Sequence, residues 1–153
     1  MSPRRRPGRL ALAAARDGTG TIEFAFVVGS LATLALGAAD FGIGYWDYMQ
    51  VQNAAHAGAR YAMVNGFSST GIANAVTGAT SLSGVSASPA PSQACGCPNA
   101  GSGITSATCG TSCSGGGTAQ NYVTVNAQVT YTTLVGWPGL SNPVTLTATA
   151  VVQ

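Results

Sequence analysis

The distal part of this chain has no ionisable side chain apart from tyrosine and cysteine. From Tyr61 to Gln153 there is no Lys, Arg, Asp, Glu or His. Arg4, Arg5, Arg6, Arg9, Arg16 and Arg60, with Asp17, Glu23, Asp40, Asp47 and His56, all lie at or before position 60. General acid–base catalysis at neutral pH draws mostly on those residue types, and a distal cysteine nucleophile would lack a His base. We therefore expect a structural or assembly protein, not an enzyme, with no cofactor, no metal and no small-molecule substrate. The net charge of +2 comes from a local arginine block, so no basic face for nucleic acid is implied. Disorder does not fit either. Disordered chains combine low hydrophobicity with high net charge, whereas this one is 46% hydrophobic and 7% charged. Its 153 residues allow one compact unit and an appendage.

What charge there is has a direction. Five of the arginines precede an apolar stretch, residues 24–39, and none follows it closely. Positive charge marks the cytoplasmic flank of a membrane segment. The expected topology puts the N-terminus in the cytoplasm and the C-terminal region outside. Extended to Trp46, the stretch is interrupted only by Asp40 and meets the roughly 20 apolar residues that a span needs. We place the transmembrane segment at about residues 22–46, with Tyr45, Trp46 and Tyr48 as an aromatic belt at the outer interface. Asp40 is expected near that interface or paired with a neighbouring subunit. A secretory signal peptide is the competing reading, because Gly37-Ala38-Ala39 permits cleavage near Ala39. Against it, Glu23 stands at the entrance of the apolar run, and helix-compatible sequence follows the small residues.

The most distinctive string is Gly18-Thr19-Gly20-Thr21-Ile22-Glu23-Phe24. A carboxylate beside lipid is costly. If the chain is cut after Gly18, the new α-amine of Thr19 lies one helical turn from Glu23 and supplies a cation at i, i+4 spacing. The plainer alternative is an interfacial carboxylate stabilised by the helix N-terminal dipole, which leaves the glycine unexplained. Beyond the span, Val51, Ala55, Gly58 or Ala59, and Ala62 recur at helical spacing. One helix over residues 19–66, about 70 Å long and ended by Gly66, is expected. Its small-residue face permits close backbone approach, either to the chain's own distal domain or to another subunit. His56 is read as an ordinary helix residue, and Arg60 as a partner for Asp47, for a neighbour's Asp40 or for lipid phosphate.

Together with Asp40-Phe41-Gly42 and the run from Gln52 to Ala62 (QNAAHAGARYA), these elements resemble the TadE-like family. Its members are pseudopilins of the tight-adherence (Flp, type IVb) pilus system of bacteria. The resemblance covers residues 18–63 and rests on the order of Gly-x4-Glu-Phe, an apolar helix, an acidic-Phe-Gly element and Gly-Ala-Arg. It implies removal of a basic leader, residues 1–18, by an aspartyl prepilin peptidase at the cytoplasmic membrane face. Gly18, Thr19, Glu23 and Phe24 would serve processing and assembly. Asp40, Gly42, Ala55, Gly58 and Arg60 would serve helix packing. Implied partners are the prepilin peptidase, other pilins and pseudopilins, inner-membrane platform proteins and lipid. The implied location is the bacterial inner membrane, with a periplasmic or extracellular C-terminal domain. One departure is Gly29, where family members often carry a proline, so a kink there is not implied.

Residues 67–153 are expected to form a small extracytoplasmic α/β region. A short helix over residues 70–77, capped by Ser69 or Thr70, and a strand over 82–87 come first. Residues 88–120, rich in Gly, Ser, Pro and Cys, read as a loop ordered by crosslinks. Two alternating strands then follow, at about 121–134 and 143–153. Val123, Val125, Ala127, Val129 and Tyr131 share one face of the first, and Val144, Leu146, Ala148, Ala150 and Val152 one face of the second. They form an antiparallel pair whose apolar face the outer half of the long helix would cover. Uncharged edges of this kind invite strand addition when uncovered. Cys95, Cys97, Cys109 and Cys113 lie in the exported part, where disulfides persist. The missing histidine and the tight first spacing disfavour zinc. A 95–97 bridge is strained, which leaves 95–109 with 97–113, or 95–113 with 97–109.

The fold expected is thus α+β and pilin-like, with a long N-terminal transmembrane helix, a small antiparallel sheet and a Cys-rich loop over residues 95–113. The expected function is a membrane-anchored, non-catalytic minor pilin or pseudopilin taking part in Flp/Tad pilus assembly. The rival is a signal-peptide-cleaved, secreted or surface-anchored binding module of adhesin type.

Overall fold

A computed structural model describes residues 17–99 and 103–153, with side chains from Gly20 onward. The arginine leader through Arg16 and the middle of the Cys-rich loop lie outside the described residues. The element order is α1 (Asp17–Asn65), α2 (Ser69–Gly78), β1 (Ser92–Pro98), β2 (Ile104–Ser106), β3 (Gln120–Tyr131) and β4 (Val144–Val152). The chain divides into two units, residues 1–41 and residues 42–153. The first contains the N-terminal stretch of α1, the second its remainder with everything after it.

α1 is a single helix of 49 residues, unbroken across Gly29 and across residues 37–39. It ends as its sequence dictates. Gly66 takes φ +78°, a left-handed conformation that costs glycine nothing, and its N–H reaches back to the Ala62 carbonyl at 2.9 Å. α2 begins one residue earlier than its composition suggests. The N-cap is Ser68, whose hydroxyl accepts from the Gly71 N–H at 3.2 Å, not Ser69 or Thr70. Ser68 is the residue with extended backbone (φ −144°, ψ 107°), which an N-cap requires.

The sheet is four-stranded and antiparallel throughout, in the order β2-β1-β3-β4. β3 and β4 pair from Val123↔Val152 to Tyr131↔Val144, and their alternation is as expected. Val123, Val125, Ala127, Val129 and Ala150 are buried, while Asn126 and Thr149 face outward and join by a 2.8 Å hydrogen bond. Against this face pack Val51, Ala54, Ala55, Ala59 and Ala62 of α1 and Ile72 and Val76 of α2, all buried in one core. The small-residue face of the helix is therefore used within the second unit. It covers the chain's own sheet.

Two expectations fail here. Residues 82–87 form no strand. Only Ser86 bridges to Gln128, by hydrogen bonds of 2.9 and 3.0 Å, with Val85 buried beside it. The segment read as a crosslinked loop instead contains β1 and β2. β1 pairs with β3 from Ser92↔Thr124 to Gly96↔Gln120. Its sequence, SQACGCP, has no apolar alternation because much of it is exposed, so no hydrophobic period announces it. Cys95 and Cys97, two residues apart, share one face of β1. They bond Cys109 and Cys113 with Cα–Cα distances of 5.2 and 5.6 Å, the first of the two pairings left open. Gly96 between them admits no side chain, since a Cβ would meet the Ile104 side chain and lie 2.8 Å from the Thr105 carbonyl oxygen.

Gly58 is a point of close approach at the centre of the core. A Cβ there would lie 2.7 Å from Val76 Cγ2, 2.8 Å from Val125 Cγ1 and 3.2 Å from Ile72 Cγ2. At Gly42 it would meet nothing within 4 Å. Overpacking costs about 1–3 kcal/mol, against the ~1 kcal/mol that alanine gains over glycine in a helix. Gly58→Ala is expected to lower, and Gly42→Ala to maintain or raise, the denaturation midpoint of the detergent-solubilised protein. Peptide mapping without reductant should return 95–109 and 97–113. Replacing either pair by serine should cost about 3 kcal/mol in the chain-entropy account of loops this size.

Candidate functional site

The helix surface between Gly20 and Trp46 is built from residues that water does not favour. Ile22, Phe24, Phe26, Val27, Val28, Leu31, Leu34 and Leu36 are between 44% and 75% exposed. At about 100° per residue, Phe26, Val27 and Val28 stand roughly 200°, 300° and 40° around the axis from Phe24. The apolar surface thus encircles the helix. A globular helix keeps one polar face; one that is apolar all round belongs in a protein core or in lipid. This helix is long and apolar enough to cross a membrane, and its most apolar window is only 6% buried.

Its few hydroxyls are suited to such surroundings. Ser30 Oγ donates to the Phe26 carbonyl and Thr33 Oγ1 to the Gly29 carbonyl, each at 2.9 Å. Both polar groups are satisfied inside the helix, as a hydrocarbon medium demands. The sequence carried this signal, since Ser and Thr in a helix bond back to the carbonyl four residues earlier, but composition alone does not display it.

Gly18 and Thr19 fall in the first turn of α1; their side chains lie outside the description. Glu23 is exposed and Phe24 is 69% exposed. Asp40 is only 3% exposed and has an interaction partner within the chain. Of the other residues expected to pack the helix, Ala55 is buried and Gly58 sits at the centre of the core. Gly42 and Arg60 are exposed and take no part in that core. His56 is exposed as well. It lines a shallow groove with Tyr48, Gln52, Thr147 and Thr149, in which Gln52 Nε2 donates to the Tyr48 hydroxyl at 2.8 Å. Tyr45 and Trp46 are 64% and 60% exposed, as an interfacial belt requires.

Two structural relationships were not legible in the pattern. Tyr131, at the end of β3, lays its ring over Gly44, 3.4 Å from where a Cβ would be. The β3–β4 connection also carries exposed apolar residues, Leu134, Val135 and Leu140. The available signal was the absence of any charge between Tyr131 and Val144.

Residues 18–60 match the family described as TadE-like protein. The match opens on the glycine of the Gly-x4-Glu string, closes on Arg60, and leaves α2 and the sheet outside. Neither the curated proteins nor the solved structures yielded a match.

Proposed function

We propose that this chain, TadE-like over residues 18–60, is a membrane-anchored minor pilin or pseudopilin that takes part, without catalysis, in assembling a bacterial Flp/Tad pilus. The observation that carries the reading is the apolar surface that encircles the helix from Phe24 onward, entered through Glu23, the only glutamate in the chain. Such a surface is stable in lipid or against other helices of its kind. The carboxylate at its entrance is costly unless something offsets it.

In this reading a prepilin peptidase cuts after Gly18 at the cytoplasmic face of the inner membrane and removes the arginine leader. The amine released at Thr19 then lies about one helical turn from Glu23, about 6 Å along the axis, and the pair becomes neutral overall. The partner of Glu23 is the amine of its own chain or that of an adjacent subunit, and the second case joins protomers side by side. The sheet domain projects to the periplasmic or extracellular side, where its disulfides persist. Its partners are other pilins, pseudopilins and platform proteins. The rival reading, cleavage near Ala39, would discard the encircling apolar surface. It would also remove residues 18–39, about half of the stretch that the family match covers.

Mass analysis and N-terminal sequencing of protein from purified membranes are expected to show a mature start at Thr19. Gly18→Ala should retain the leader. Glu23→Gln should be cut normally yet fail to co-purify with the assembly machinery, since it keeps the cleavage site and loses the charge pair. An intact Met1 in assembled complexes, or a start near Asp40, would overturn the reading.

A further inference from the structure

Within the second unit, β3 runs back along α1. Val125 packs at Gly58 and Tyr131 packs at Gly44. The helix rises about 21 Å between those glycines, and the strand covers about 20 Å between Val125 and Tyr131. The two elements therefore run nearly antiparallel, and the end of β3 arrives at the end of the unit where α1 enters. Tyr45 and Trp46, the exposed aromatics next to Gly44, lie at that same level. What extends past Tyr131 before β4 returns is residues 132–143, TTLVGWPGLSNP, which carry no charge.

This connection is built, and its tip is apolar. The Thr133 N–H donates to Asn142 Oδ1 at 3.3 Å across its neck. At its tip, Trp137-Pro138-Gly139-Leu140 forms a β-turn in which the Leu140 N–H donates to the Trp137 carbonyl at 3.2 Å. Proline in the second position and Gly139 at φ +90° make this a type II turn, the geometry that those two residues prescribe. The turn holds Trp137 and Leu140 at its two ends. Leu134 is 63% exposed and Leu140 47%.

We propose that the β3–β4 turn is a second membrane contact, lying in the headgroup region of the outer leaflet beside the belt of Tyr45 and Trp46. This rests on the reading of residues 22–46 as a membrane span. The occupant it commits to is the lipid interface, because the exposed apolar tip lies at the same end of the unit as that belt, and tryptophan and tyrosine favour this zone. The absence of charge removes the largest desolvation cost of entering this zone. This second attachment holds the β3–β4 turn and the aromatic belt in one interfacial layer.

The test uses the full chain in proteoliposomes, with Trp137 the sole tryptophan after Trp46→Phe. Its emission is expected to shift to the blue relative to detergent-free denatured protein, to be lost when lipids brominated near the headgroup end of the acyl chain replace ordinary ones, and to be insensitive to aqueous iodide. The reciprocal Trp137→Phe protein reports Trp46 and checks the span by itself. Should Trp137→Phe disturb folding, a Leu140→Trp reporter in the Trp46→Phe, Trp137→Phe background reads the same tip from an exposed position. Quenching of Trp46 by lipid with Trp137 open to iodide would overturn the proposal and leave the span intact. Loss of both lipid signals would overturn the span reading, and the proposal with it. Shielding of Trp137 from both quenchers that disappears on dilution into excess lipid would identify a second copy of the chain as the occupant and overturn the proposal.

Discussion

The close approach at Gly58 is the constraint on which the second unit is built. Three branched side chains, from α2 and from β3, converge on a point of α1 that has room for no carbon beyond the backbone. Around it the helix offers alanine at positions 54, 55, 59 and 62, so the sheet lies close to the helix axis. A larger side chain on this face would push β3 outward. It would break the layer in which Val125, Ile72 and Val76 are fully buried. Small residues here serve the chain's own domain, the same physics that in lipid brings two helices together.

One helix thus carries two surfaces with different requirements. Up to Trp46 its apolar side chains point in every direction, and the hydroxyls of Ser30 and Thr33 are closed on their own backbone carbonyls. Beyond Trp46 it is amphipathic in the ordinary sense. Val51 and the alanines face inward, with Gln52, His56 and Arg60 outward. The change falls beside the exposed aromatics Tyr45 and Trp46, the side chains best suited to a boundary between hydrocarbon and water. The outer face of the sheet carries hydroxyls and amides instead of charge, such as the Asn126–Thr149 pair. The segment that follows the short β2 is tied to β1 by two covalent bonds.

How far each element could be read from the chain follows from how it is held. α1 and the β3–β4 pair are held by burial, and burial imposes a period. Val123, Val125, Ala127 and Val129 alternate because every second side chain meets the helix. The end of α1 was legible because Gly66 adopts a backbone conformation that other residues resist. β1 was not, since backbone hydrogen bonds to β3 and two disulfides hold it, and neither imposes a hydrophobic pattern. Residues 82–87 alternate enough to suggest a strand, but only Ser86 finds a partner. A pattern without a neighbouring strand to complete it makes no ladder.

By itself the sequence determined the helix with its apolar and small-residue segments, the two Thr-rich strands, the disulfide chemistry and the Gly18-to-Glu23 spacing. All of these are local properties, set by period, residue type and distance along the chain. Tertiary structure alone decided that Cys95 bonds Cys109 and Cys97 bonds Cys113, that the alanine face is covered by the chain's own sheet, and that Tyr131 comes to rest on Gly44. Each of those is a meeting of residues far apart in sequence. Which meeting occurs depends on how the whole set of apolar faces packs, a property no single segment contains.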